Sequence, residues 1–435
     1  MWYDESVFYQ FYTLGVCGAP KQNTGEEGHR LQTLLHFLPH LTKLGVGAVY
    51  FTPVFESDAH GYDTRDYRTI DRRLGTNEEF AEIVKAYHEN GLRVVLDGVF
   101  NHVGRGFWAF RDVQEKREQS PYRDWFLLRF DGDSPYHDGF YYEGWEGHYE
   151  LVKLNLKNPA VCNYLLDCVV HWFHTFQIDG LRLDVAYSLD EGFMRRLRET
   201  AKSLSPDFFL LGEMLHGDYN RLVNDQMLHS VTNYECYKGL YSSFNSYNFF
   251  EIAYSLNRQF GSEPWTLYKG KHLLCFADNH DVTRLASILT VKEHIPLLYT
   301  LLFTMPGIPC LYYGSEWGME GEKSHGDDAL RPAVDEPVWN GLCDSIASLC
   351  AIHKQEKALC YGDYSQVALT NRQYVFARAC DGERVVVALN ADNAPATLPA
   401  PGLQGQGTDL VTGDVRTFSG QVELPPLSAF IWRMG

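Results

Sequence analysis

Arg182 and Asp184 stand two residues apart in the run Ile178-Asp179-Gly180-Leu181-Arg182-Leu183-Asp184-Val185-Ala186. Leu181, Leu183 and Val185 alternate with them, and a period of two reads as a strand. Such a strand turns three aliphatic side chains one way and an arginine and a carboxylate the other. Unpaired charge in a low-dielectric interior is expensive, so the polar face needs a reason. One reason is an internal ion pair. The other is chemistry: a cation that keeps a carboxylate ionised and aimed at a substrate. Other polar residues close other apolar runs. Asp97, Asn101 and His102 follow Leu92–Leu96, Glu213 follows Phe208–Gly212, and His280 and Asp281 follow Leu273–Ala277. Three acids, two histidines and an arginine meeting at one rim are poorly explained by structure alone.

The elements that position these residues alternate. Val7–Tyr12 reads as a first strand. A helical pattern follows through Leu31, Leu34, Leu35, Leu38 and Leu41, with Pro39 interrupting it or starting its main body and Gly45 past its end. Val46–Pro53 is a second strand. Thr76-Asn77-Glu78-Glu79 is a capping box that opens a helix with Phe80, Ile83, Val84 and Tyr87 on one face. Leu92–Asp97 is a third strand. Strand, helix, strand, helix at this spacing predicts parallel pairing with right-handed crossovers. Residues 103 to about 153 break the pattern and hold 13 aromatics from Phe107 to Tyr149. They read as an inserted subdomain whose aromatics build its own core or, at Trp108, Trp125 or Trp145, form sugar platforms.

The alternation resumes with Asn158-Pro159, a cap followed by proline at the first helical position. Strands are expected at Ile178–Ala186, Phe208–Gly212, Ser230–Tyr234, Leu273–Ala277 and Ile308–Gly314. Eight units describe an α/β fold, a (β/α)₈ TIM barrel, whose strand ends share the face where such enzymes work. Beyond about residue 358, Gln366–Thr370, Tyr374–Arg378 and Arg384–Leu389 alternate as strands, with a hairpin turn at Asp381-Gly382. The expected layout is a barrel over 1–102 and 154–357, an inserted subdomain over 103–153 after strand three, and a C-terminal antiparallel β-sandwich over 358–435.

The 435 residues carry a net charge of −18, which argues against nucleic acid and anionic membranes as partners. No run of about 18 apolar residues occurs, so nothing spans a bilayer as a helix. The N-terminus lacks the pattern of a secretory signal. The ten cysteines are scattered, without the close pairs of a zinc or redox site, and read as reduced thiols of a cytoplasmic protein. Nine Trp and 27 Tyr offer flat apolar faces on which sugar rings stack, although large cores use aromatics too.

The segments Asp97-Gly98-Val99-Phe100-Asn101-His102, Gly180-Leu181-Arg182-Leu183-Asp184, Gly212-Glu213 and Asn279-His280-Asp281, in that order and spacing, resemble the α-amylase family of glycoside hydrolases. Leu151-Val152-Lys153-Leu154-Asn155 resembles the segment that marks its neopullulanase and cyclomaltodextrinase branch, and Pro306–Gly314 also reads like the family. The resemblance implies that Asp184 is the nucleophile, Glu213 the general acid/base and Asp281 the carboxylate that steadies the transition state. It implies that Arg182 lies beside the nucleophile, that His102 and His280 hold hydroxyls of the reacting sugar, and that Tyr62 stacks on it. Asp97 is expected to hold Arg182 or the loop rather than touch sugar. Asp327 and Arg331 match either a further sugar contact or a surface ion pair.

The implied activity is retaining hydrolysis of α-1,4, and potentially α-1,6, glucosidic bonds in malto-oligosaccharides or cyclodextrins. Arg182 is expected to depress the Asp184 pKa, and neighbouring carboxylates to raise that of Glu213. A retaining mechanism calls for a nucleophile–acid separation of about 5–5.5 Å. No cofactor is expected to be required. Asn101 matches a calcium ligand of many relatives, but Tyr187-Ser188 stands where typical α-amylases carry Lys-His, which argues against that site. Branch relatives carry an N-terminal β domain that closes a dimer over the site; here the first strand begins within ten residues, so dimerisation by that route is not expected. The rival readings are an α-glucanotransferase with the same chemistry and a non-catalytic sugar-binding relative.

Overall fold

The computed structural model describes residues 1–435. Eight parallel strands form the central sheet: β1 (Phe8–Phe11), β2 (Ala48–Phe51), β3 (Arg93–Gly98), β4 (Gly180–Leu183), β5 (Phe209–Gly212), β6 (Ser230–Val231), β7 (Leu274–Phe276) and β8 (Ile308–Tyr312). Their spatial order is β6-β5-β4-β3-β2-β1-β8-β7. A parallel bridge from Thr232 to Leu274 joins the two edges and closes the barrel.

Alternation along these strands separates two environments. Val49, Phe51, Val94, Leu96, Leu181, Leu183 and Leu210 point outward into the main core beneath the helices. Phe8, Ala48, Tyr50, Val95, Phe209, Leu211, Leu274, Phe276, Ile308 and Cys310 point inward and pack together. Toward the C-terminal strand ends the inward positions turn polar: Gln10, Asp97, Arg182 and then Glu213 are all buried. The register places Arg182 directly beside Asp97. Gly180 is needed where β4 meets β5, because a Cβ there would lie 2.6 Å from the Phe209 carbonyl oxygen.

Around the barrel run α1 (Gln32–Leu44), α2 (Asn77–Glu89), α3 (Pro159–Phe176), α4 (Glu191–Leu204), α5 (Tyr234–Asn245), α6 (Phe250–Phe260), α7 (Ile295–Thr304) and α8 (Gly341–Gln355). Pro39 lies inside α1, which continues through it, and Gly45 ends that helix in the left-handed region at φ 82°. The Thr76/Glu79 capping box is formed in full, and the Asn158 side chain caps α3 ahead of Pro159.

Three expectations need correction. The connection from β5 to β6 contains no α-helix, only the short 3₁₀ turn Tyr219–Arg221. Two helices, α5 and α6, instead fill the next connection. The strand expected over Ser230–Tyr234 stops at Val231, because Asn233 caps α5 through its side chain. The alternation around Asp184 ends at Leu183; Val185 has left the strand with φ 39° and ψ 49°.

After β3 the strand His102–Gly104 pairs antiparallel with His148–Lys153, which pairs in turn with Gly144–Trp145. The helix Trp108–Lys116 packs Phe110 against Phe126, Phe140 and Tyr142. At the C-terminus, β9 (Asp363–Leu369), β10 (Gln373–Cys380), β11 (Glu383–Asn390), β12 (Ala396–Asp409), β13 (Val415–Leu424) and β14 (Ser428–Met434) form one antiparallel sheet in the order β9-β10-β11-β14-β12-β13. Val375, Val386, Leu398, Leu403, Phe418 and Trp432 gather on one side of it. A single six-stranded antiparallel sheet thus stands where a sandwich was expected. No helix is long and apolar enough to cross a membrane.

Candidate active site

A cleft of about 1030 Å³ opens at the C-terminal ends of the barrel strands. Asp184, Glu213 and Asp281 line it, with Tyr62 and His102. Arg182, His280 and Asp97 are buried directly behind this surface, bonded to residues that line it.

Arg182 is the hub. One terminal nitrogen, Nη1, donates to both oxygens of Asp97 at 3.0 and 2.9 Å and to Asp184 Oδ1 at 2.9 Å. The other, Nη2, lies 2.7 Å from Glu213 Oε1. One planar guanidinium therefore spaces carboxylates delivered by β3, β4 and β5. Glu213 Oε2 accepts the Val185 backbone N–H at 3.0 Å. A β-branched residue in the left-handed region is strained by about 1–3 kcal/mol. Here the strained turn aims an N–H at the carboxylate of the next strand.

Asp281 is fixed independently. Arg331 Nη2 donates to its Oδ1 at 2.8 Å, His280 Nε2 lies 3.0 Å from its Oδ2, and its own backbone N–H is held by Asn279. Arg331 also donates through Nε to the His280 carbonyl and stacks over the Tyr12 ring. Behind them, Gln10 Nε2 donates to the Tyr50 hydroxyl at 2.9 Å and meets His280 Nδ1 at 2.7 Å. His280 Nδ1 then accepts, which leaves the proton on Nε2 facing Tyr62 and Asp281. Tyr62 lies 2.7 Å from that nitrogen through its hydroxyl, which donates to Asp97 at 3.3 Å, and its ring stacks on His280. His102 Nε2 is buried without a hydrogen-bond partner, 3.8 Å from Asp184 Oδ2.

Three acids around one cation cannot all be comfortably ionised. Burial pushes Asp97, Asp184 and Glu213 each up to about 7, against the pull of Arg182. For Asp184 this corrects the expectation: burial outweighs the arginine that was to depress it. For Glu213 burial is the main cause, with Asp184 and Asp281 adding to it. Asp281 goes the other way. Burial raises it, but His280 and Arg331 outweigh burial and hold it well below the usual carboxylate range.

Of the tryptophans, Trp145 lines the cleft with His148 stacked on it. Trp108 and Trp125 do not line it: they pack with Tyr122 and Tyr164, Trp125 buried and Trp108 exposed on the surface of the insertion. Leu151 lines the cleft; Asn155 instead donates to the Asp124 carbonyl. Asp327 and Arg331 both line the cleft and lie 3.3 Å apart, and Arg331 also holds Asp281. Asn101 turns its amide toward His102 at 3.1 Å.

Sequence reasoning passed over Gln10, Tyr12 and Val185. Gln10 carried a usable signal, as the one amide in the apolar run Val7–Tyr12. Val185 carried none, because its role belongs to its backbone.

A closed parallel barrel with acids gathered at the C-terminal mouth defines an enzyme of carboxylate chemistry. The α-amylase catalytic-domain model matches residues 21–358. The chain is 34% identical over 424 residues to a cyclomaltodextrinase of Geobacillus thermopakistaniensis, covering 92% of this chain and 69% of that one. It is 32% identical over 343 residues to an intracellular maltogenic amylase of Bacillus subtilis, covering 76% and 56%. The cyclic α-maltosyl-(1→6)-maltose hydrolase from Arthrobacter globiformis superposes with a TM-score of 0.85 at 28% identity, covering 100% of both chains. The chain belongs to the α-amylase family, and it is a glycosidase.

Proposed function

We propose that the cleft hydrolyses α-glucosidic bonds of malto-oligosaccharides or cyclodextrins with retention of configuration, with Asp184 as nucleophile, Glu213 as acid/base and Asp281 as the charge that stabilises the transition state. The observation that carries this reading is the single guanidinium of Arg182 shared by acids from three strands. Relatives named cyclomaltodextrinase, maltogenic amylase and cyclic maltosyl-maltose hydrolase support the substrate class.

In the first step Asp184 attacks the anomeric carbon while Glu213 gives its proton to the leaving oxygen, and a glucosyl ester of Asp184 forms. Positive charge building on the sugar favours the anionic form of Asp184, so the proton shared among the buried acids falls to Glu213. Asp281, ionised throughout, faces that charge. Tyr62 offers its ring to the sugar, and the unpartnered His102 Nε2 is available to a sugar hydroxyl. In the second step Glu213 takes a proton from water, whose oxygen displaces Asp184 and restores the α configuration. A cytoplasmic setting is supported by ten cysteines that are all free and by the relative named as intracellular.

The test is turnover on maltoheptaose, β-cyclodextrin, pullulan and panose, with product anomers followed by NMR. Wild-type protein should release α-anomers, and Asp184→Asn should lose at least roughly 10³-fold in kcat. An Asp184→Asn protein with full activity, or β-anomers from the wild type, would overturn the assignment.

A further inference from the structure

Gln10 is buried on the inward face of β1, where the register sets it beside Tyr50 of β2 and Tyr312 of β8. An amide inside a barrel is costly unless it is hydrogen-bonded. Its Nε2 meets the Tyr50 hydroxyl at 2.9 Å and His280 Nδ1 at 2.7 Å. Other groups already fix the plane of that imidazole. The rings of Tyr12 and Tyr62 stack on it with centroids 5.9 and 5.7 Å away. What they leave open is where its protons sit.

The charges around His280 narrow the choice. Its Nε2 lies 3.0 Å from Asp281 Oδ2 and 2.7 Å from the Tyr62 hydroxyl, which donates to Asp97. Nε2 must therefore carry a hydrogen. Arg331 holds the His280 carbonyl and the other oxygen of Asp281, and Arg182 stands over the Tyr62 ring. Burial and these two arginines hold His280 below the usual histidine range, against the pull of Asp281. Were the Gln10 carbonyl turned to Nδ1, that nitrogen would need a proton as well, and a buried imidazolium would sit among the arginines. With the NH₂ turned to it, Nδ1 keeps its lone pair. A donor on that lone pair stabilises the neutral ring and opposes a second proton. Tyr50 accepts the other N–H of the same amide and so keeps the carbonyl turned away.

We propose that Gln10 is a positioning residue: its amide, oriented by Tyr50, keeps His280 neutral with the proton on Nε2, so that Asp281 is not neutralised by a second cation beside the reacting sugar at acid pH. Arg331 already occupies Oδ1 of Asp281. An imidazolium on Oδ2 would cancel the negative charge where the sugar gains positive charge. The inference rests on the α-glucan reading above.

Two variants test it. Gln10→Met keeps the length of the side chain and removes the amide. Tyr50→Phe keeps the ring and removes only the hydroxyl that orients the amide. The first readout is the titration of His280, followed by NMR in protein carrying ¹⁵N-labelled histidine, its signals assigned by their absence from His280→Gln. The second is kcat and KM for maltoheptaose between about pH 5 and pH 7. In the wild type Nε2 should be protonated and Nδ1 bare. In Gln10→Met, His280 should titrate about one pH unit higher, the worth of one hydrogen bond. Its kcat near pH 5, relative to that near pH 7, should fall below the wild-type ratio by up to roughly tenfold, with KM within about twofold. Tyr50→Phe should move both readouts in the same direction, less strongly. If Gln10→Met fails to fold, Tyr50→Phe decides alone. A proton on Nδ1 in the wild type, or an unchanged His280 titration in a folded variant, overturns the role of Gln10, because a merely structural residue would alter stability and not titration. A wild type inactive on every α-glucoside overturns the α-glucan reading instead, and the titration still tests Gln10.

Discussion

Arg182 can be shared by Asp97, Asp184 and Glu213 only because the acids do not all carry charge at once. A carboxyl whose folded pKa is raised binds more protons in the folded than in the unfolded chain between the two values. Its stabilising contribution is complete below the unfolded pKa and is lost as pH rises through the folded one. Glu213, raised from 4.5 to about 7, therefore makes the fold less stable toward neutral and alkaline pH. Asp97 and Asp184 act in the same direction, and Asp281, held low, acts in the opposite one at acid pH. The melting temperature of the wild type should fall between pH 5 and pH 8, and Glu213→Gln should flatten that fall. The same substitution should remove the alkaline limb of kcat/KM, centred near pH 7 in the wild type, along with most of the activity. A fall in melting temperature equally steep in both proteins would contradict the raised pKa. At this site the fold is less stable at the pH where the chemistry runs.

At the scale of elements, one buried arginine outside the site holds the cleft wall. Arg73 is 2% exposed and lies in the turn after the strand Thr64–Ile70. It grips Asp71 through Nε at 2.8 Å and Nη2 at 2.6 Å. Its Nη1 donates to the carbonyls of Pro20, Lys21 and Ala59, all three on the cleft wall. Arg73→Met should leave the Asp71 charge buried without its partner and cost about 3–5 kcal/mol. Urea unfolding measures it, and adding Asp71→Asn should recover part of the loss. Additive losses would mean that the two residues are not coupled.

Which elements the sequence disclosed follows from the same physics. Strand and helix periods, the Thr76–Glu79 box and the Asn158-Pro159 start are local signals, so the barrel could be read from them. So could the acids, because each closes an apolar run. The missing helix between β5 and β6 could not, since Met214–His229 gives no period to contradict the eightfold pattern. Arg331 lies 50 residues from Asp281, and only the closed barrel brings β8 and its following loop beside the end of β7. The Asp184 pKa was misjudged because charge pairing is visible in a sequence and depth of burial is not.

For the whole molecule the question is whether the barrel and the C-terminal sheet unfold together. Tyr374, Phe376, Val385, Val387, Leu389 and Ile431 of the sheet belong to the same buried cluster as Leu298, Leu301 and Leu302 of α7. Arg378 lies at that junction with no carboxylate bonded to it. Burial lowers its pKa to about 10, and its guanidinium donates to the Thr304 carbonyl at the end of α7 and to the Gly362 carbonyl ahead of β9. Both carbonyls depend on this one side chain across the boundary. A continuous apolar interface of this kind exposes core on either side if one part opens first, so the two parts should melt as a unit. Calorimetry should show one transition with equal calorimetric and van't Hoff enthalpies. Arg378→Met keeps the bulk but strands both carbonyls at about 1–3 kcal/mol each. It should lower the melting temperature while leaving a single transition, because the apolar contacts that couple the two parts remain. Two resolved transitions in the wild type would mean that the sheet is an independent domain resting on the barrel.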